Sequence, residues 1–157
     1  MSTKVSGQIK SLKDLEHRSD NFRKQQNSYF VISLCFGPAC QASANANLHA
    51  EFKKEIRKYR DSFDKEIIIR KNGCHGYCEK GPIVVIYPRE NCYLSVKKED
   101  IPEIVESVIK DEVIERLIYK DEKAGLILKE DDIPFYKNQE RIILLSNTEI
   151  DCNSIDD

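Results

Sequence analysis

The sequence lacks the features that announce most catalytic, membrane and nucleic-acid functions. No stretch approaches the ~18–20 consecutive apolar residues of a membrane-spanning helix. The opening MSTKVSGQIKSLKDLEHRSD has no apolar core of the secretory type, so a cytoplasmic protein is expected. Lys and Arg number 25 against 27 Asp and Glu, for a formal net charge of −2. That balance provides no broad basic field and argues against DNA or RNA as the main partner. There is no G-x-G-x-x-G or other phosphate-cradling loop and no nucleophile set beside a base. The chain is therefore expected to bind neither NADH nor flavin and to catalyse nothing on its own. It has no internal repeat and no C-x-x-C pair, which weakens a thioredoxin-type dithiol reading.

What remains is compact and informative. With 157 residues, 40% hydrophobic and 33% charged, the chain suits one ordinary globular domain with tails. Six cysteines in a reducing compartment are poor candidates for structural disulfides, so paired spacings among them point to metal binding or redox chemistry.

Leu12, Leu15 and Phe22 recur at roughly helical spacing among charges, which predicts an amphipathic helix over residues 8–26 lying on a core. Residues 1–27 form this N-terminal element. The run from Ser28 to Leu34 is apolar and rich in β-branched and aromatic residues, as for a buried strand that ends at Cys35. Leu48, Phe52, Ile56, Tyr59 and Phe63 share one sector of a helix. Lys65 to Arg70 and Ile83 to Tyr87 read as further buried strands. Cys92 to Val96 closes an antiparallel hairpin across Pro88 to Asn91.

Asp100 and Glu103 have the spacing of a capping box. They open a closing helix whose stripe is Ile101, Ile104, Val105, Val108 and Ile109. The order helix, strand, helix, three strands, helix, with a right-handed crossover between the first two strands, predicts an α/β thioredoxin-like core: a mixed four-stranded sheet flanked by helices over residues 28–119. Beyond Tyr119 the chain turns charged and irregular, and residues 120–157 are expected to be a linker or docking tail that is mobile in isolation.

Cys35 and Cys40 enclose four residues, Cys74 and Cys78 enclose three, and the two pairs flank the strand-to-helix crossover. Loops leaving the same ends of neighbouring parallel strands lie close together, so four thiolates can converge. Gly37, Gly73, Gly76 and Gly81 would let the backbone turn tightly and offer N–H donors to sulfur. Spacing alone leaves two readings open: an iron–sulfur cluster, or a zinc-stabilised interaction module without redox activity.

Cys35-Phe-Gly-Pro-Ala-Cys40 followed by QASANANLHAEFKKEI, then GCHGYCEKGPIVVIYP from Gly73 to Pro88, resembles the thioredoxin-like [2Fe–2S] ferredoxin family. That family supplies the small iron–sulfur subunit of complex I-type NADH dehydrogenases. It also forms an N-terminal extension on the flavin-bearing subunit of NADH-linked and bifurcating hydrogenases, which VKKEDIPEIVESVIKDEVIERLIY resembles as well. The resemblance runs from about Ser28 to Tyr119, and residues 133–157 look like the opening of the flavin-bearing subunit.

The resemblance implies one [2Fe–2S] cluster on Cys35, Cys40, Cys74 and Cys78 and electron transfer as the role. The implied partners are flavin- and iron–sulfur-bearing NADH dehydrogenase or hydrogenase subunits, with a homodimer as the alternative; the exposure expected of strand-end loops has Phe36 to Pro38 and His75 to Tyr77 face that partner. Lys71 and Lys80 would stabilise the reduced state. Cys92 and Cys152 are expected to be ordinary thiols, His75 a solvent-facing loop residue, and Tyr77 a shield over the cluster or a packing residue.

Overall fold

The computed structural model describes residues 10–17, 20, 29–43 and 47–140. Four strands build the central sheet in the order β2-β1-β3-β4: β1 (Tyr29–Cys35), β2 (Glu66–Asn72), β3 (Val84–Tyr87) and β4 (Asn91–Tyr93). β1 and β2 are parallel, while β1 with β3 and β3 with β4 are antiparallel. This is the mixed four-stranded α/β sheet that the strand pattern predicts. β1 sits between β2 and β3, so Val31 to Cys35 are all buried, and a largely apolar run, interrupted only by buried Ser33, is what a strand covered on both faces requires.

Alternation along the strands divides the core in two. Ile32, Leu34, Val84 and Ile86 point to one face, where they pack with Phe52 of α2 (Leu48–Arg57) and with Ile101, Ile104, Val105 and Val108 of α3 (Ile101–Lys110). Cys35, Ile83, Val85 and Cys92 point to the other. Cys40, on the short helix α1 (Pro38–Ser43), joins them there.

That second face is covered by the chain beyond Tyr119. A hairpin of β5 (Tyr119–Asp121) and β6 (Gly125–Ile127) leads through a 3-10 turn at Glu130–Asp132 into α4 (Pro134–Lys137). Ile133 and Tyr136 are buried against Cys35, Cys40 and Cys92. The outer edge of β4 is closed by this segment and the turn just before it: the Cys92 N–H donates to Leu128 O at 2.7 Å and the Leu94 N–H to Leu117 O at 2.8 Å. Composition predicts a linker from residue 120; residues 120–140 instead form the second wall of the core. The apolar content is sparse because one wall of four short elements needs only a few inward side chains, and Ile133 alone is 0% exposed. Residues 141–157, with Ile142 to Leu145 and Cys152, lie outside the described residues.

Other differences are local. Residues 12–17 are helical but Leu12 and Leu15 are exposed, at 71% and 49%; periodicity makes a helix without supplying a surface to cover its stripe. Phe22 lies outside the described residues. α2 stops at Arg57, after which the Tyr59 and Ser62 N–H groups bond three residues back. Phe63 then stacks on Phe30 with ring centres 6.0 Å apart. Asp100 does not pair with Glu103: its carboxylate accepts the Lys97 N–H at 2.8 Å and Arg116 Nη1 at 2.8 Å, while Glu103 pairs with Arg116 Nη2. β4 ends at Tyr93, where the chain turns at Ser95 (φ 53°) and its N–H bonds Lys80 O at 2.8 Å.

Candidate metal centre

The parallel register brings the two cysteine pairs to one place. Cys35 ends β1 opposite Asn72, the last residue of β2, so Cys74 begins just beyond the point where Cys35 leaves the sheet. The Phe36 N–H donates to Asn72 O at 3.1 Å and the Cys35 N–H to Ile83 O at 3.0 Å, which fastens the first turn between the flanking strands. α1 then turns Cys40 back towards Cys35. Gln41 holds that turn, with its N–H on Gly37 O at 3.0 Å and its side-chain amide on Phe36 O at 2.6 Å.

The thiols lie close enough to disfavour one another's ionisation. Burial pushes the Cys35 thiol up to about 12; the His75 and Gly37 backbone N–H groups act the other way, and neighbouring Cys40 adds to the rise. Cys78 is raised chiefly by the charge of Cys74 beside it and by their hydrogen bond, with Cys35 contributing from the other pair. The Gly76 N–H donates to Cys74 Sγ at 3.3 Å. Among the described residues no three His, Cys, Asp or Glu donors close on a single ion-sized point. Cys35 neighbours Cys40, and Cys74 neighbours Cys78; a two-iron core takes its four cysteines as two per iron.

Two glycines are explained by space. A Cβ on Gly81 would stand 2.6 Å from Cys40 Sγ and 3.3 Å from Cys78 O, and one on Gly37 would stand 3.0 Å from Cys74 Sγ. Gly76 is different: it has open space around it but sits at φ +84°, a left-handed backbone that side chains disfavour. The Cys40 and Cys74 sulfurs are thus approached by bare backbone, which leaves N–H donors free to reach a sulfur ligand.

The second loop departs from the sequence reading in one respect. His75 is not solvent-facing: its side chain is 0% exposed, with Nδ1 2.8 Å from Glu130 Oε2, a hydrogen bond in which the carboxylate accepts. Its Nε2 is also buried and has no partner among the described residues, a desolvation cost of about 1–3 kcal/mol. Tyr77 stacks on Phe135, with ring centres 4.1 Å apart at 9°, and meets Tyr136 edge-on at 5.9 Å. Cys74 and Cys78 are exposed, as is Phe36, whose ring lies 4.6 Å from Lys71 Nζ. Lys80 pairs loosely with Glu79 at 3.5 Å. Cys92 is fully buried with its thiol raised by burial, as expected of an ordinary core thiol. Sequence reasoning missed Glu130, Phe135 and Tyr136; the aromatic pair in IPFY was the only signal.

Comparison with known proteins identifies the family and the fold. A 2Fe-2S ferredoxin of Clostridium pasteurianum is 38% identical over 81 residues, covering 50% of this chain and 76% of the relative. One from Aquifex aeolicus (strain VF5) is 44% identical over 81 residues, covering 51% and 72%. The solved structure of a thioredoxin-like [2Fe-2S] ferredoxin from Aquifex aeolicus superposes with a TM-score of 0.51 at 29% identity, over 64% of this chain and 99% of that one. The profile of the thioredoxin-like [2Fe-2S] ferredoxin family matches residues 19–109, more than half of the chain, which therefore belongs to that family of [2Fe–2S] electron carriers.

Proposed function

We propose that Cys35, Cys40, Cys74 and Cys78 hold the [2Fe–2S] cluster and that the chain passes single electrons to or from a flavin- and iron–sulfur-bearing subunit of an NADH dehydrogenase or NADH-linked hydrogenase. The observation that carries the ligand assignment is the convergence of the two pairs at one end of the parallel strands, where Cys35 lies opposite Asn72. When bound, the cluster supplies one-electron redox chemistry.

The protein's own residues divide the remaining work. The buried pair Cys35 and Cys40 anchors one side in the core, while Cys74 and Cys78 lie at the surface. Bare backbone at Gly37 and Gly81 leaves room beside the sulfurs. Exposed Phe36 and Pro38, together with Cys74, Gly76 and Cys78, form the face a redox partner would meet. His75 and Tyr77 are turned inward and would not. The partner itself is inferred from the resemblance of residues 28–119 and 133–157 to subunits of those complexes. Among the described residues no helix is long and apolar enough to cross a membrane.

Metal and acid-labile sulfide analysis is the deciding experiment, with about two irons and two sulfides per chain expected. A colourless protein carrying one zinc would establish the zinc-stabilised alternative instead. Serine at Cys35, Cys40, Cys74 or Cys78 is expected to lose or distort the visible and paramagnetic-resonance spectra, while serine at Cys92 leaves them unchanged. Mixing the loaded chain with a candidate flavoprotein and NADH should reduce it within turnover time. No reduction despite demonstrated binding would remove the relay role.

A further inference from the structure

Residues Gly73 to Tyr77 belong to no helix or strand, yet they carry one proposed ligand and lead directly to the next. Along this loop exposure alternates: Cys74 out, His75 in, Gly76 out, Tyr77 half-buried, Cys78 out. The loop bends at Gly76 (φ +84°) and is not a strand, so no regular backbone sets this alternation, and holding 75 and 77 inward aims their chain neighbours 74 and 78. Both inward residues are held by the same piece of chain. The Glu130 carboxylate accepts from His75 Nδ1 at 2.8 Å, and Phe135 lies flat on Tyr77 at 4.1 Å.

That piece has a firm base. Ile133 and Tyr136 are buried beside Cys35 and Cys40. The Ile133 N–H bonds Glu130 O at 3.0 Å, the Tyr136 N–H bonds Ile133 O at 2.9 Å, and Leu128 O is fastened to the Cys92 N–H of β4. It also lies beyond residues 19–109, the part matched by the family.

We propose that the strap Glu130–Lys137 is a positioning element for the second ligand loop, with Glu130 acting through His75 and Phe135 through Tyr77 to hold Cys74 and Cys78 outward towards the cluster. The inference rests on the reading of Cys74 and Cys78 as ligands. A stack of this kind and a buried hydrogen bond are directional, so they specify loop geometry in a way that apolar burial alone does not.

Hydrogen exchange on the full chain, with and without cluster, tests it, using Glu130→Ala and Phe135→Ala against the conservative Glu130→Gln and Phe135→Tyr. Without cluster, the alanine variants are expected to speed exchange across residues 73–78 by about tenfold, the order expected from losing one modest interaction. β1 and β3 should be unchanged, and the conservative variants should lie near wild type. With cluster, the alanine variants should shift the paramagnetic-resonance spectrum and shed iron to a chelator several-fold faster, both restored by the conservative changes.

Unchanged exchange at residues 73–78, or a uniform rise through the sheet in every variant, overturns the proposal and leaves the strap a plain structural brace. If Glu130→Ala does not fold, Phe135→Ala, at a half-buried ring, decides alone. Because the cluster-free measurement is independent of ligand identity, wild-type spectra in the cysteine-to-serine variants would remove the ligand reading without touching the loop result. Unchanged loop exchange beside an intact cluster would remove only the strap.

Discussion

The two cysteine pairs, proposed above as ligands, are built by different means. Cys35 and Cys40 are buried, one ending the central strand and the other on the helix that follows, so core packing and local hydrogen bonds place them. Cys74 and Cys78 are exposed, on a loop steadied by side chains from more than fifty residues away in sequence, such as the Glu130 partner of His75. The first pair is fixed by the fold's centre and the second by its periphery. An electron carrier benefits from both, because one side of the site must be rigid and the other must reach the surface where a partner arrives.

The largest effect that would break this comparison comes from the strap's base. Ile133 is 0% exposed, so Ile133→Ala is expected to cost about 2–5 kcal/mol, the range for truncating a buried aliphatic side chain. It would be read as a lower denaturation midpoint at unchanged slope. A change below about 0.5 kcal/mol, the level of an ordinary surface substitution, would mean that residues 130–137 are a detachable tail and that the second pair has no firm support.

A smaller effect sharpens the contrast at the junction of the pairs. Gly81→Ala would place a Cβ 2.6 Å from buried Cys40 Sγ, whereas Gly37→Ala meets exposed Cys74 at 3.0 Å. Overpacking in a well-filled region costs about 1–3 kcal/mol, so Gly81→Ala should destabilise the chain and lower its iron content. Gly37→Ala should do less of both, since an exposed loop gives way more readily than a core. Equal losses from the two would show the pairs to be equally rigid.

The smallest perturbation is chemical. Thiolates are the reactive form, and burial that raises a thiol's pKa lowers its reactivity at a given pH. In the cluster-free chain at pH 8, iodoacetamide should label exposed Cys74 and Cys78 before Cys35, whose thiol is pushed up to about 12, and before Cys92, raised by burial. Raising the pH should speed labelling of all of them while preserving that order until Cys35 begins to ionise. Peptide mass spectrometry would follow it; early labelling of Cys35 would mean that the first pair is not buried in solution.

Legibility follows the same divide. The strands are readable because Val31 to Cys35 and Val84 to Ile86 are buried on both faces and so are apolar except at Ser33. The α3 stripe was readable because one face alone meets the core. The end of α2 was not, since Tyr59 and Phe63 keep the helical spacing while serving a turn. His75 was misread because a polar residue in a glycine-flanked loop gives no local hint of a carboxylate fifty-five positions further on.

By itself, then, the sequence determined the sheet, its crossover and the placing of two cysteine pairs at neighbouring strand ends. Those depend on periodicity, β-propensity and spacing, which are properties of neighbours along the chain. Only the tertiary structure decided which cysteines are buried, which way His75 and Tyr77 face, and that residues 120–140 wall the core. Those outcomes depend on Glu130, Ile133, Phe135 and Tyr136 arriving from afar, and a contact between distant segments has no periodicity for a sequence to display.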